Sequence, residues 1–161
     1  MRELLMPVLI IGLVVYTIVR RFRGEPLVAK DLVATPLIMI AIGAYSLTKV
    51  VGWAGLDVGW LVLGVVVGLI FGAIRGAVSG LFVRDGVLHQ RYTWKTLVVW
   101  ALGTLVSFGL GMAGGHFGVH PETRSYPLSI GIGLLGEMIT CGVRALATGE
   151  SFAPERSAQR R

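Results

Sequence analysis

Residues 58–92 read VGWLVLGVVVGLIFGAIRGAVSGLFVRDGVLHQRY. The first half is an apolar block near the length of a membrane-spanning helix, because a hydrocarbon core of roughly 30 Å needs about 20 helical residues. The second half places Asp85 and Gly86 between two short β-favouring runs, which is typical of a two-residue hairpin turn. This stretch therefore predicts a transmembrane helix followed directly by a β-hairpin over residues 81–92.

The composition extends the membrane prediction to the whole chain. Of the 161 residues, 54% are hydrophobic and only 15% are charged, and the mean hydropathy is +0.75. A soluble domain carries about a quarter charged residues. The composition therefore excludes an ordinary soluble enzyme, a disordered chain and a nucleic-acid-binding module. It predicts an all-α integral membrane protein.

Five apolar stretches are each near the length of a membrane span. They are residues 4–19, 32–48, 58–74, 96–113 and 127–147. We therefore predict a single transmembrane domain over residues 1–148, folded as a five-helix bundle with the hairpin between its third and fourth spans. The polar, basic residues 149–161 are predicted to form a disordered cytoplasmic tail.

Lysine and arginine residues fix the predicted orientation of this bundle. Of the fifteen in the chain, only Arg2, Lys49 and Arg124 lie on one side of the membrane, and all others lie on the opposite side. By the positive-inside rule, the N-terminus is predicted outside and the C-terminus in the cytoplasm. Five spans require termini on opposite sides, so the span count and the charge distribution agree.

Glycine recurs at every fourth position along the third predicted span and its continuation. The five residues are Gly64, Gly68, Gly72, Gly76 and Gly80. On a helix, small residues at this spacing share one face, which allows a second helix backbone to approach closely. Two interpretations follow from this glycine stripe: tight packing within the monomer, or a seam between two copies of the chain.

Glu137 is the polar residue that says most about function. It lies ten residues after Pro127, which is roughly 15 Å into the membrane by helix rise, so we expect it near the midplane. An ionised carboxylate is costly there unless it is paired or faces water. Two roles stay open: a hydrogen-bonded structural residue, or a functional group in a small-solute or proton pathway.

The same depth argument selects partners for this carboxylate. Arg75 and Arg144 are expected about 10 Å nearer the cytoplasmic face, which disfavours a salt bridge. Hydrogen bonds are expected instead from Thr104 or Ser107 in the fourth predicted span, or from Tyr45 in the second.

His116 and His120 are the remaining candidates for ligand chemistry. Two histidines four residues apart on a helix can share a metal ion, but glycines and Pro121 interrupt this segment and no third strong ligand is fixed. We favour solvated loop histidines, with a metal or haem site as the alternative, and predict no cofactor. Cys141 is the only cysteine, so the sequence has no CxxC or CxxCH motif.

A family resemblance is carried by the segments Arg21-Phe-Arg-Gly-Glu-Pro26 and Arg84-Asp-Gly-Val-Leu-His-Gln-Arg-Tyr92, together with Arg75-Gly76. In these segments the chain resembles a family of small bacterial polytopic membrane proteins grouped with CcdC. The resemblance covers most of the first four predicted spans. It implies a multi-pass protein of the bacterial plasma membrane, and it implies no particular reaction.

The sequence favours a non-enzymatic accessory or interaction protein, because it offers ample packing surface and no catalytic motif. Its expected partners are the lipid bilayer and either a second copy or other membrane proteins, and not nucleic acid. Two alternatives stay open. One is a small-solute or proton pathway that uses Glu137, and the other is a membrane enzyme or redox protein with a cofactor near His116 and His120.

Overall fold

Four long helices dominate the computed structural model, which describes residues 22–123 and 125–153. They are α1 (Ala29–Leu47), α2 (Gly55–Val78), α3 (Trp94–His116) and α4 (Tyr126–Thr148). Each is long and apolar enough to cross a membrane, as in a multi-pass membrane protein. The first predicted span, residues 4–19, lies outside the described residues. Within the described residues the structure therefore supports four spans, and the predicted count of five is not supported.

Local capping explains why the helices begin and end where they do. The Thr93 side chain accepts a hydrogen bond from the Thr96 amide at the start of α3, and Ser125 does the same for Leu128 at the start of α4. Such side chains satisfy amides that have no partner inside the helix. Helix α4 ends at Gly149, whose φ of +70° is the left-handed conformation typical of a helix C-terminus.

The helices follow the spatial order α1, α4, α2, α3. Helix α4 packs against both α1 and α2, and α3 packs against α2. Large apolar side chains cover the remaining helix surfaces and are about half exposed or more. Examples are Leu37 and Ile38 on α1, and Leu105 and Phe108 on α3. These surfaces fit contact with lipid, because a water-soluble monomer rarely exposes such extended apolar area.

Glycine allows α2 and α4 to approach at backbone distance. Gly72 lies directly against the carbonyl of Gly133, and Gly76 lies against the backbone of Glu137. From the α4 side, Gly136 lies against the backbone of α2 at Leu69. A side chain at any of these positions would separate the helices, so the contact depends on the missing Cβ atoms.

The glycine stripe predicted from the sequence is therefore divided between several environments. Gly68, Gly72 and Gly76 face α4 within the monomer, so they are not available as a seam between two copies. A side chain at Gly64 would meet no atom within 4 Å. Gly80 belongs to a strand and not to the helix, because α2 ends at Val78.

A three-stranded antiparallel sheet lies at one end of the bundle, which we call the sheet end. Its strands are β1 (Glu25–Pro26), β2 (Gly80–Arg84) and β3 (Val87–Arg91), in the order β1-β3-β2. Asp85 and Gly86 join β2 to β3 with φ angles of 55° and 72°, as a tight two-residue hairpin turn requires. The predicted hairpin is confirmed, and β1 is an additional strand from the first loop.

The first residues after α4 are held against the sheet. Strand β1 is only two residues long, and its ladder with β3 ends at the pair Pro26–His89. The amide of the next residue in β3 on that side, Leu88, donates to the carbonyl of Ser151. Ala153 donates in turn to the carbonyl of Leu27. The predicted disordered tail, 149–161, thus begins with an ordered segment, and residues 154–161 lie outside the described part of the chain.

Replacing Gly72 with alanine tests the contact between α2 and α4. The new Cβ would overlap the Gly133 carbonyl, and overpacking of this kind costs about 1–3 kcal/mol. We expect a lower melting temperature for the purified protein in mild detergent. Gly64→Ala is the matched control, because its Cβ enters open space and alanine favours a helix by about 0.5–1 kcal/mol. Equal melting temperatures for the two variants would contradict the proposed packing.

Candidate functional site

A buried carboxylate lies where α2, α4 and the sheet meet. The Glu137 side chain is only 5% exposed, and its Oε2 accepts a hydrogen bond from Nε of Arg75 at 2.6 Å. Its Oε1 accepts from Nε2 of Gln90 at 3.0 Å and from the Tyr92 hydroxyl at 2.9 Å. The same hydroxyl lies 3.2 Å from Oε2. We call these four residues the Glu137 cluster.

Helices α2 and α4, strand β3 and the link that follows β3 each supply one member of this cluster. Arg75 precedes Gly76, so the close approach of α4 at Gly76 brings Glu137 within reach of the guanidinium group. Alternation along β3 places Gln90 on the same face as Leu88, and Leu88 is packed against Cys141 and Ala145 of α4. The inner face of the sheet therefore points at α4.

The expectation that a salt bridge is disfavoured at Glu137 is wrong. It assumed that the spans begin at equal depth, but the two helices are staggered: Ile132 lies beside Gly68, and Glu137 lies beside Gly76. The first turn of α4 is therefore near the middle of α2, and Glu137 is level with the last turn of α2. Arg75 reaches it at this level without extending along the membrane.

The residues that the sequence selected as hydrogen-bond partners lie elsewhere. Thr104 and Ser107 are exposed on α3, which packs against α2 and lies at one end of the spatial order of the described helices. Tyr45 is 65% exposed near the end of α1 that lies away from the sheet, with the Lys49 ammonium group 5.0 Å from its ring centre. None of the hydrogen bonds seen at Glu137 comes from these three residues.

Arg144 binds the end of α2 and is not a partner of Glu137. Its NH1 donates to the carbonyl oxygens of Gly76 at 2.6 Å and of Ser79 at 2.9 Å. The last carbonyls of a helix have no intrahelical donors and carry partial negative charge. A guanidinium group from α4 therefore caps α2 from outside the helix.

A cavity of about 150 Å³ with both polar and apolar lining residues lies beside the Glu137 cluster. Its walls come from α1, β1, β3 and α4, and they include the side chains of Glu25, Asp31 and Thr35. Pro36 also lines the cavity and lacks an N–H, so it cannot donate to the Leu32 carbonyl as a normal helical residue would. Since a water molecule occupies about 30 Å³ of liquid volume, we expect this cavity to hold several.

A second buried carboxylate lies at the other end of α2. Asp57 is 1% exposed and accepts hydrogen bonds from the backbone amides of Ala54 and His120, each at 2.9 Å. Its Oδ2 is also 2.9 Å from Nδ1 of His120. Asp57 therefore holds the loop after α3 against the start of α2.

The histidine pair predicted as a weak metal candidate is divided by this arrangement. His120 lies against Asp57, whereas the His116 ring lies 6.0 Å from the ring of Phe117. Among the described residues, no group of three or more histidine, cysteine or acidic side chains is placed to bind a metal ion.

Sequence reasoning identified Glu137, Arg75 and Arg144 but missed Gln90, Tyr92 and Asp57. Asp57 had a local signal, because an acidic residue three positions after the N-cap residue, here Ala54, is typical of a capping box. Gln90 and Tyr92 had none, because the hairpin pattern predicts a strand and not what its inner face contacts. Comparison of the chain with protein-family models, with curated proteins and with solved structures found no match.

A double-mutant cycle between Glu137 and Arg75 tests the buried pair. Glu137→Gln leaves the guanidinium without its counter-charge, and breaking a buried pair in this way costs about 3–5 kcal/mol. Arg75→Gln is expected to be similarly costly, whereas the double variant should lose much less than the sum because no buried charge is left unpaired. The measurement is the free energy of unfolding in detergent.

Glu150→Gln is the control for this cycle, because Glu150 is exposed just after α4. A surface substitution of this kind should change the free energy by no more than about 0.5 kcal/mol. Strictly additive effects at Glu137 and Arg75 would show that the two side chains are not coupled, which would contradict the ion pair.

Proposed function

We propose that this chain is a non-enzymatic accessory or interaction protein of the bacterial plasma membrane that uses its three-stranded sheet as the contact surface. The observation that carries the proposal is the Glu137 cluster. Both carboxylate oxygens accept hydrogen bonds from Arg75, Gln90 and Tyr92, so a buried carboxylate holds the sheet to the helices. A surface that is fixed in this way suits recognition of a partner.

Family membership is part of this proposal: we infer that the chain belongs to the CcdC-like proteins. The segments that carry the resemblance are far apart in sequence and come together in space. Glu25 pairs with Gln90 in the sheet register, while Arg75 and Gln90 both bind Glu137. Because these segments form one site, the contacts within that site constrain the sequences of all of them together.

The proposed topology has five spans, with the N-terminus outside and the sheet and C-terminus in the cytoplasm. Exposed basic residues near the described helix ends support this orientation. Arg84, Arg91 and Lys95 are exposed at the sheet end, whereas Lys49 is exposed at the opposite end. The positive-inside rule assigns the end with more basic residues to the cytoplasm.

Reporter fusions test this topology. A periplasmic reporter at the N-terminus should be active, and a fluorescent cytoplasmic reporter at the C-terminus should be bright, because five spans place the termini on opposite sides. A periplasmic reporter inserted after Gly118, in the loop following α3, should also be active. If both termini report the cytoplasm, the chain has an even number of spans and the topology proposed here is wrong.

Photocrosslinking in intact membranes tests the sheet as a contact surface. A photoreactive residue at Val87, on the sheet, should give adducts of defined mass, because Val87 lies on the face turned away from α4. The yield should fall at least severalfold when Arg84 and Arg91 are changed to glutamate. The matched control is a photoreactive residue at Leu105, which is 66% exposed on α3 and should give only lipid-chain adducts.

The cavity favours one second candidate function, a proton or small-solute pathway, because the cavity reaches Glu137. Protein in sealed vesicles distinguishes the two. Equal proton and solute flux with and without protein, together with Val87 adducts, supports the interaction protein. A flux that Glu137→Gln abolishes while the melting temperature shows a folded protein would overturn it in favour of the pathway.

A further inference from the structure

The sheet has an outer face that turns away from α4. Strand register defines it, because residues paired across β2 and β3 share a side of the sheet. The pair Leu81–Gln90 is on the inner side, since Gln90 binds Glu137. The alternate pairs form the outer face, whose members are Gly80, Phe82, Arg84, Val87, His89 and Arg91.

This outer face combines aromatic rings with guanidinium groups. Phe82 and His89 stack with ring centres 5.5 Å apart, and the Arg91 guanidinium lies 5.8 Å from the Phe82 ring centre. An arginine held over a ring keeps its N–H edge available to a second group. Arg84 is 71% exposed, and the carboxylate of Asp85 is 3.7 Å away and itself 88% exposed, so this pair is weak in water.

The sheet is attached to the membrane-spanning helices with almost no linker. Ser79 alone separates α2 from β2, and only Tyr92 and Thr93 separate β3 from α3. Trp94, the first residue of α3, is 68% exposed, and tryptophan at a span end typically lies at the headgroup level. Arg91 pairs with Gly80 at the base of the hairpin, next to this level. Arg84 lies four residues farther along β2, which is about 13 Å at about 3.3 Å per residue in a strand.

We propose that the outer face of the sheet binds the headgroups of anionic phospholipids. The inference deepens the proposed function, on which it rests for the cytoplasmic placement of the sheet. Arg91 and Arg84 supply two guanidinium groups that fit phosphate oxygens in a bidentate manner. Arg23, Lys30 and Lys95 are exposed at the same end and add to the attraction. Each basic residue near an anionic surface strengthens binding about fivefold.

Native mass spectrometry of the full-length protein tests this inference. The protein is released into mild detergent with equal amounts of phosphatidylglycerol and phosphatidylcholine, and retained lipids are counted. The wild type should retain phosphatidylglycerol preferentially. Arg84→Gln and Arg91→Gln should each reduce that retention about fivefold without changing retention of phosphatidylcholine. Lys49→Gln removes one exposed charge at the opposite end and should change retention less than twofold.

A conservative variant separates geometry from charge. Arg91→Lys keeps the positive charge but loses bidentate contact and ring stacking, so its retention of phosphatidylglycerol should fall between those of the wild type and Arg91→Gln. Retention equal to that of Arg91→Gln would also support the site and would show that geometry dominates. Unchanged preference in both Arg84→Gln and Arg91→Gln would overturn the inference.

Three further outcomes separate this inference from its rivals. Loss of phosphatidylglycerol retention in the presence of millimolar inorganic phosphate would identify a site for a free anion and overturn the lipid assignment. Val87 adducts to a protein, with unchanged lipid preference in the arginine variants, would overturn the lipid assignment while the proposed function stands. Lipid preference that depends on both arginines, without any Val87 adduct in cells, would support the lipid site and contradict the proposed function.

Discussion

Helices α2 and α4 touch through their backbones, and this contact sets the level of everything at the sheet end. Because Gly72 and Gly76 have no side chains, the two helix backbones lie in direct contact. Sliding one helix along the other would therefore cause a clash at Gly133. That stagger places Glu137 beside the last turn of α2 and within reach of Arg75. Since Glu137 also binds Gln90 and Tyr92, the same contact fixes the position of the sheet.

The ion pair within this arrangement contributes more to specificity than to net stability. Removing a carboxylate and a guanidinium group from water costs several kcal/mol per ion, and their attraction together with added hydrogen bonds roughly offsets that cost. Both oxygens of the Glu137 carboxylate accept hydrogen bonds. The Arg144 guanidinium group donates to backbone carbonyl oxygens instead of to a carboxylate. Alternative staggers of α2 and α4 would leave these charges buried without partners, so the polar groups favour one arrangement over others.

Sequence reasoning succeeded where a signal is local and failed where it depends on how helices are staggered. Asp85-Gly86 defines the hairpin by itself, because both residues tolerate positive φ. A buried carboxylate that needs partners was equally predictable at Glu137. Its partners were not, because helix rise measures depth only when the starting levels of the spans are known.

Short elements were the other source of error. Strand β1 has two residues, Glu25 and Pro26, which is too short for an alternating pattern to appear. The segment that follows α4 reads as a polar tail, yet Ser151 and Ala153 form backbone hydrogen bonds beside the sheet. Backbone pairing of this kind does not depend on side-chain chemistry, so composition cannot predict it.

The external cap on α2 has a consequence for the order of assembly during synthesis. Ribosomes synthesise α2 and the hairpin before α4. The carbonyl oxygens of Gly76 and Ser79 therefore lack their hydrogen-bond donor, Arg144, until α4 has been made. Until then, the charged Arg75 also lacks its carboxylate. The sheet end is therefore completed last, when the final helix enters the membrane. A nascent chain that stops before α4 exposes these carbonyl oxygens and the Arg75 guanidinium group to whatever chaperone or insertase is nearby.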